Sequence, residues 1–184
     1  MKTEDRKQLL SKLLQNPNLD QGAVEYLRVL LVRYDVVTRD EGNPQHVCSY
    51  FLPFNPETGK IFMIHHLKTE LWLIPGGHVD PDETPWEAAV REWHEELGET
   101  ISEEQLRGPF AFTITPISNP QRQPNCAIHF DIWLYAQTDG SGFVINEKEL
   151  GETMWLSVDE AIEKTTDGNT KKALKSFKSY NLNL

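Results

Sequence analysis

Between Gly77 and Glu99 the chain reads GHVDPDETPWEAAVREWHEELGE. Six of these residues are glutamates: Glu83, Glu87, Glu92, Glu95, Glu96 and Glu99. A like-charge pair four residues apart costs roughly 0.2–0.5 kcal/mol on an exposed helix. Acidic residues in a last helical turn also face the unfavourable end of the helix dipole. Carboxylates this dense call for a cation among them. Clustered hard oxygen donors suit Mg²⁺, which usually keeps waters and shares its shell with substrate phosphates. The chemistry implied is chemistry on phosphates. The competing reading is an acidic face that is merely solvated, which is the ordinary fate of such a face.

The element that must position these groups has clear limits. Thr84 suits the N-cap, Pro85 the first turn, and Glu87 completes a capping box with Thr84. Gly98 suits the C-terminal stop. At about 100° per residue, Trp86, Val90, Trp93 and Leu97 form one apolar stripe that must face a core. Glu92, Glu95 and Glu96 fall in the adjoining sector. Arg91 lies four residues from both Glu87 and Glu95, within reach of either carboxylate. The preceding Pro75-Gly76-Gly77 allows the backbone to approach a ligand closely.

Around this helix the chain reads as a mixed set of elements. Two helices are expected first, over Glu4–Gln15 and from Asp20 to about Val37, followed by a turn-rich linker at 39–44. Strands follow at Val47–Phe54 and Lys60–His66, joined by the hairpin-like turn 55–59, with a short strand at Leu71–Ile74. Beyond the acidic helix, strands are expected at Pro109–Thr115, Ala127–Gln137 and Glu152–Leu156. A helix capped by Ser157 and Glu160 follows, and a last amphipathic helix spans Thr170–Tyr180. Strands flanked by helices on either side predict an α/β fold with a mixed sheet between helical layers.

At 184 residues the chain is long enough to bury a core without staples. The net charge of −10 argues against general nucleic-acid or membrane-surface binding, which needs a basic footprint. A small phosphorylated substrate remains compatible if metal neutralises it. No apolar run is long enough to span a membrane, and the first residues have no apolar stretch behind them. Cys48 and Cys126 lack metal-type spacing and read as buried thiols of a reducing, cytoplasmic compartment.

The spacing of the acidic stretch resembles the signature of the Nudix hydrolases: Gly, five residues, Glu, seven residues, Arg-Glu, a hydrophobic residue, any residue, Glu-Glu, any residue, Gly, a hydrophobic residue. Gly77, Glu83, Arg91, Glu92, Glu95, Glu96 and Gly98 fill all seven fixed positions. Chance would produce that on the order of once in 10⁸ to 10⁹ positions. Trp93 is bulkier than the usual aliphatic residue. Glu99 replaces an aliphatic one, and Ile101 is expected to supply the missing apolar contact. The resemblance implies an α/β/α sandwich with a mixed sheet at 46–184; residues 1–45 are not explained by the signature and read as an N-terminal helical extension that could shape the pocket or a dimer contact. It also implies Mg²⁺-dependent hydrolysis (Mn²⁺ being an alternative metal) of a diphosphate joined to another moiety, often a nucleoside, by attack of water on phosphorus. Glu95 and Glu96 are expected as principal metal ligands, Glu92 as a further ligand or water activator, and Gly77 (or Gly76) as the source of a backbone carbonyl ligand. Glu83 and Arg91 are expected to hold loop and helix together. The resemblance also leaves a homodimer open.

Outside the signature, Glu149 and Glu152 are candidates for the general base, with surface carboxylates as the plain alternative. His65, His66 and His78 crowd the region; without His-x-x-x-His spacing a histidine metal site is not expected, and His78 is placed against phosphate. Arg122, in the Pro-rich stretch 116–125, is a candidate for phosphate, although an ordinary surface arginine would read the same. Trp72, Trp133 and Phe112 could stack on a base or simply pack. Two other functions stay in view: a non-enzymatic nucleotide-sensing module, which could lose its carboxylates without penalty, and a prenyl diphosphate isomerase, which would want a reactive cysteine in a supporting motif.

Overall fold

The computed structural model describes residues 3–17, 19–33, 38, 44–117 and 126–181. Two helices come first, α1 (Thr3–Leu14) and α2 (Gln21–Arg33). Four strands follow: β1 (Gln45–Asn55), β2 (Lys60–His66), β3 (Leu71–Leu73) and β4 (Gly76–His78). The acidic helix is α3 (Pro85–Leu97). After it come β5 (Arg107–Pro116), β6 (Ile128–Gln137), β7 (Leu150–Leu156), α4 (Val158–Lys164) and α5 (Gly168–Asn181). Residues 34–37 at the expected end of the second helix, most of the linker, and Arg122 with its loop lie outside the described residues.

The strands form one mixed sheet in the order β3-β2-β1-β6-β5, with β4 pairing β1 and β7 pairing β2. β1 and β6 run parallel over their whole length, from Gln45↔Ile128 to Phe54↔Gln137. The remaining pairs are antiparallel. β1 changes partner along its course: its early residues pair β4 and its last residues pair β2 across the turn. In that turn Asn55 Oδ1 accepts from the amides of Glu57 and Thr58 at 2.9 and 3.1 Å, and Gly59 takes φ 67°, as an Asx-type turn with a left-handed exit requires.

Helices cover both faces. Alternation along β6 sends Phe130, Ile132 and Leu134 into a core shared with α1, α2 and α3, and sends Trp133 and Tyr135 into one shared with α4 and α5. The expected α/β/α layering is therefore present. The first two helices belong to the first of those cores: Leu9, Leu13, Val24 and Leu27 are fully buried against it. Asn16 Nδ2 also donates to Pro109 O at 2.8 Å.

β4 has no counterpart among the sequence expectations. Its three residues are Gly-Gly-His, and glycine carries no strand propensity. What makes it a strand is its pairing with β1, Tyr50↔Gly76 and Cys48↔His78. A short 3-10 turn at Glu103–Gln105 was likewise not expected.

Candidate active site

α3 starts and stops as its sequence demands. Thr84 Oγ1 accepts from the Glu87 amide at 3.2 Å, and Glu87 Oε2 accepts from the Thr84 amide at 2.7 Å. Gly98 ends the helix at φ 68°. The stripe Trp86, Trp93 and Leu97 is buried, and Ala88 and Ala89 widen it. Trp93 lies between Phe51 and Phe143, with ring centroids at 5.1 and 5.9 Å. Its indole donates to Glu99 Oε2 at 3.3 Å, so a carboxylate at position 99 serves the bulky residue at 93. Ile101 is buried in the same core.

The rotation of α3 separates its glutamates by depth. Glu96 is 2% exposed and its Oε2 accepts the Gly76 N–H at 2.8 Å. The Glu92 side chain is 14% exposed and that of Glu95 is 53% exposed. Arg91 reaches Glu83, Glu92 (2.8 Å) and Glu95 (3.3 Å), and donates to His78 O at 2.9 Å. Glu87, four residues from Arg91, instead turns its carboxylate back to the cap. The predicted tether on that side is thus replaced by the pair with Glu83.

Burial dominates the ionisation of the two inner carboxylates. It pushes Glu96 well above the usual carboxylate range, and the neighbouring Glu92, Glu149 and Glu95 push the same way against the Gly76 amide. Burial also raises Glu92, only partly countered by Arg91. For Glu83, burial is outweighed by the hydrogen bonds from Arg91 and the Asp80 amide, so its pKa falls. The Arg91 guanidinium is held charged, by the Glu83 hydrogen bonds first of all.

The glycines of β4 give the approach. A Cβ on Gly77 would collide with the Glu92 carboxylate, and one on Gly76, at φ 140°, with Ser49 O and Tyr50. Backbone and carboxylates therefore share a space too small for a side chain, which suits a small ion. This donor set, carboxylate oxygens with a nearby backbone strand, fits a hard divalent cation.

Two adjoining hollows open here. The larger, about 600 Å³, is lined by Gly76, Gly77, Arg91, Glu92, Glu95 and Glu96, with His66, His78, Lys68, Lys148 and Glu149 at its walls. The smaller, about 270 Å³, lies against Tyr50, Leu71, Thr115, Asp131, Trp133 and Asn169. Tyr50, Thr69, Leu73 and His129 border both. Glu83 is set back, behind Arg91. Glu149 stands exposed at the rim, whereas Glu152 is exposed on β7 and lines neither hollow. Trp133 stacks on Tyr50 at 4.4 Å. Phe112 is buried under the first helical layer, and Trp72 packs against Lys164 and His65.

Sequence reasoning did not single out Asp131 or His129. Asp131 is 2% exposed, accepts from Thr113 Oγ1 at 3.1 Å and from Thr115 Oγ1, and is pushed up to about 7 chiefly by burial. The available signal was an imidazole and a carboxylate inside a strand of mostly apolar residues: His129 and Asp131 both take positions that β6 buries.

A mixed sheet between helical layers, with a glycine strand laid against an acidic helix, defines a class of fold that can be compared with known proteins. Residues 44–177 match the family model described as NUDIX domain, and the chain belongs to that family, the Nudix hydrolases. It is 28% identical over 123 residues to the 8-oxo-(d)GTP phosphatase of Mycolicibacterium smegmatis, a match covering 67% of this chain but only 35% of that one. It is 24% identical over 130 residues to the dihydroneopterin triphosphate diphosphatase of Haemophilus influenzae, covering 67% of this chain and 82% of the relative. The fold is shared with the E. coli dihydroneopterin triphosphate pyrophosphohydrolase at TM-score 0.64 and 21% identity, over 77% of this chain and 97% of that one. Among the described residues no helix is long and apolar enough to cross a membrane.

Proposed function

We propose that this chain is a Mg²⁺-dependent pyrophosphohydrolase that cleaves a diphosphate joined to an organic group, of which a nucleoside is the leading example. The observation that carries the reading is the burial of Glu96 beside Glu92, with Arg91 already engaged by Glu83, Glu92 and Glu95. One guanidinium shared among Glu83, Glu92 and Glu95 leaves Glu96 with no cationic partner among the described residues; a buried uncompensated carboxylate is costly, and an ion shared with substrate phosphates removes that cost. A sensing module has no need to bear it.

Glu92, Glu95, Glu96 and the Gly77 carbonyl are the groups assigned to the metal. When bound, Mg²⁺ neutralises phosphate oxygens and acidifies water. The chain supplies the rest. Arg91 and Glu83 hold the 77–84 loop against α3 and so fix the distance between the glycines and the carboxylates. Lys68 and Lys148 line the same hollow and offer donors to phosphate oxygens, with the His78 imidazole at its border. Glu149, placed at the rim where Glu152 is not, is the assigned proton acceptor for the attacking water. Positioning and electrostatics of this kind carry most of phosphoryl chemistry.

The smaller hollow suits the organic group. It is largely apolar with a few converging polar groups, the usual build of a small-molecule site. Asp131, near neutrality in its titration, can accept or donate a hydrogen bond there. The named activities of two relatives, on 8-oxo-(d)GTP and on dihydroneopterin triphosphate, support a heterocycle carrying a phosphate chain. We also read residues 1–45 as an extension that buttresses the catalytic domain at 46–184. The chain is read as cytoplasmic, and a homodimer remains compatible with it.

Titrating Mg²⁺ into the parent, Glu95→Gln and Glu96→Gln tests the ligand assignment. Weaker binding in both variants is expected. Unchanged affinity in both would overturn the assignment.

A further inference from the structure

Beside the larger hollow, where β1, β4 and β6 meet, stands a cluster that contains no carboxylate. His46 lies on β1, His78 on β4 and His129 on β6, and Cys126 stands just before β6 begins. The register explains the meeting: His46 pairs with His129 across the parallel strands, and His78 pairs with Cys48 two residues along β1. Potential donor atoms of His46, His78, Cys126 and His129 all lie within 4.8 Å of one another. The three ring centroids are 4.7, 4.8 and 5.0 Å apart. His46 is 1% exposed, His129 3% and Cys126 9%.

Burying polar rings this closely is unusual without a ligand that uses their nitrogens. His129 Nε2 is buried with no hydrogen-bond partner among the described residues, a state that costs free energy in an apolar interior. We propose that His46, His78, Cys126 and His129 form a zinc site, separate in chemistry from the carboxylates of α3. With Zn–N near 2.0–2.1 Å and Zn–S near 2.3 Å, a tetrahedral ion sets a nitrogen–sulfur edge of about 3.6 Å. Cys126 Sγ and His78 Nε2 are 3.6 Å apart. One thiolate with three imidazoles selects zinc or a similar borderline metal over Mg²⁺. Four protein ligands, three of them buried, leave no open position, so the site is structural.

The location gives the ion a task. His78 follows Gly77 directly, and its carbonyl accepts from Arg91. A metal there would pin β4 to β1 and β6, and with it the glycine backbone facing Glu92. It would also fix the chain where it enters β6. On binding, Cys126 releases its thiol proton to solvent and the imidazoles bind neutral.

The test uses the full chain, stripped of metal by chelation and titrated with Co²⁺ in excess Mg²⁺. The excess fills the carboxylate site, so the reading does not depend on hydrolysis. One equivalent of Co²⁺ should give tetrahedral visible bands and a thiolate-to-cobalt charge-transfer band, and Zn²⁺ should displace it and raise Tm. Cys126→Ser should abolish the charge-transfer band and weaken binding by more than about 100-fold, beyond the loss typical of an outer-shell partner. Cys48→Ser should keep the band. Two results would overturn the proposal: a folded, unsubstituted chain that shows no such band at saturating Co²⁺, or a band that survives Cys126→Ser. Loss of the band in Cys48→Ser alone would assign the metal instead to Cys48, His129 and Asp131, whose donors also cluster. If Cys126→Ser does not fold, Cys126→Ala is read in the same titration.

Discussion

Arg91 and Glu83 form a two-pronged pair across eight residues of chain, with Nε 2.8 Å from Oε1 and Nη2 3.0 Å from Oε2. Parallel charge-assisted bonds of this kind fix geometry as well as energy. Here they clamp the loop before α3 to the middle of the helix. Because the pair holds the Glu83 pKa below its ordinary 4.5, its stabilisation is present above that value and is lost as pH falls through the folded pKa. Glu83→Gln should therefore lower stability at pH 7 by about 1 kcal/mol, given its partial exposure. The two proteins should converge in acid. Denaturant unfolding across the pH range checks this, and a difference that grows in acid would contradict it.

Gly76 and Gly77 should fail in different ways. A Cβ at Gly77 meets the end of the Glu92 side chain, whereas one at Gly76 meets backbone at a φ of 140°. Gly77→Ala is expected to change stability by less than about 1 kcal/mol while weakening Mg²⁺ binding about 10-fold or more. Gly76→Ala is expected to cost about 1–3 kcal/mol through backbone strain. Thermal melts paired with metal titration separate the two.

Glu96 should be a stability liability without metal. Burial and its acidic neighbours disfavour its charge, and the neutral amide of Glu96→Gln removes that charge while its carbonyl can still accept from Gly76. In chelator at neutral pH the variant should melt above the parent. With Mg²⁺ at 100 times its Kd, the parent should gain about 2.7 kcal/mol by mass action, and the variant should gain little. Equal metal-induced shifts would contradict this.

The first two helices should unfold with the sheet. Leu13 is fully buried in the core that includes Phe112, Phe130 and Trp86. Leu13→Ala should cost about 2–5 kcal/mol and lower a single transition. A separate early transition, with the remainder melting as before, would show the extension to be an independent unit.

Legibility followed how local each signal was. The caps of α3, its apolar stripe and the turn at 55–59 rest on residues within one or two turns of chain, and all were readable. β6 was readable because period-2 alternation survives even where both faces are buried. β4 was not, since a Gly-Gly-His strand exists only through its pairing with β1. Arg91's partners were readable from two sources: helical spacing offered Glu87 and Glu95, of which only Glu95 is bonded, whereas Glu83, on a loop whose path spacing does not encode, was expected only through the family resemblance. The glutamates were visible together, yet their ranking by depth depends on the packing of α3. The histidine cluster was hidden for the same reason. His46, His78 and His129 come from three strands, and of the four residues only Cys126 and His129 stand close together in the sequence.

The most direct measurement is hydrolysis of a panel of nucleoside diphosphate derivatives, dinucleoside polyphosphates and nucleoside triphosphates, by the parent and by Glu96→Gln, with Mg²⁺ and with chelator. The expected result is cleavage of at least one member by the parent, dependent on Mg²⁺, and reduced by more than about 100-fold in Glu96→Gln. Cleavage that persists in chelator, or that Glu96→Gln supports at the parent rate, would contradict the assignment of the buried carboxylates to metal-dependent pyrophosphate hydrolysis.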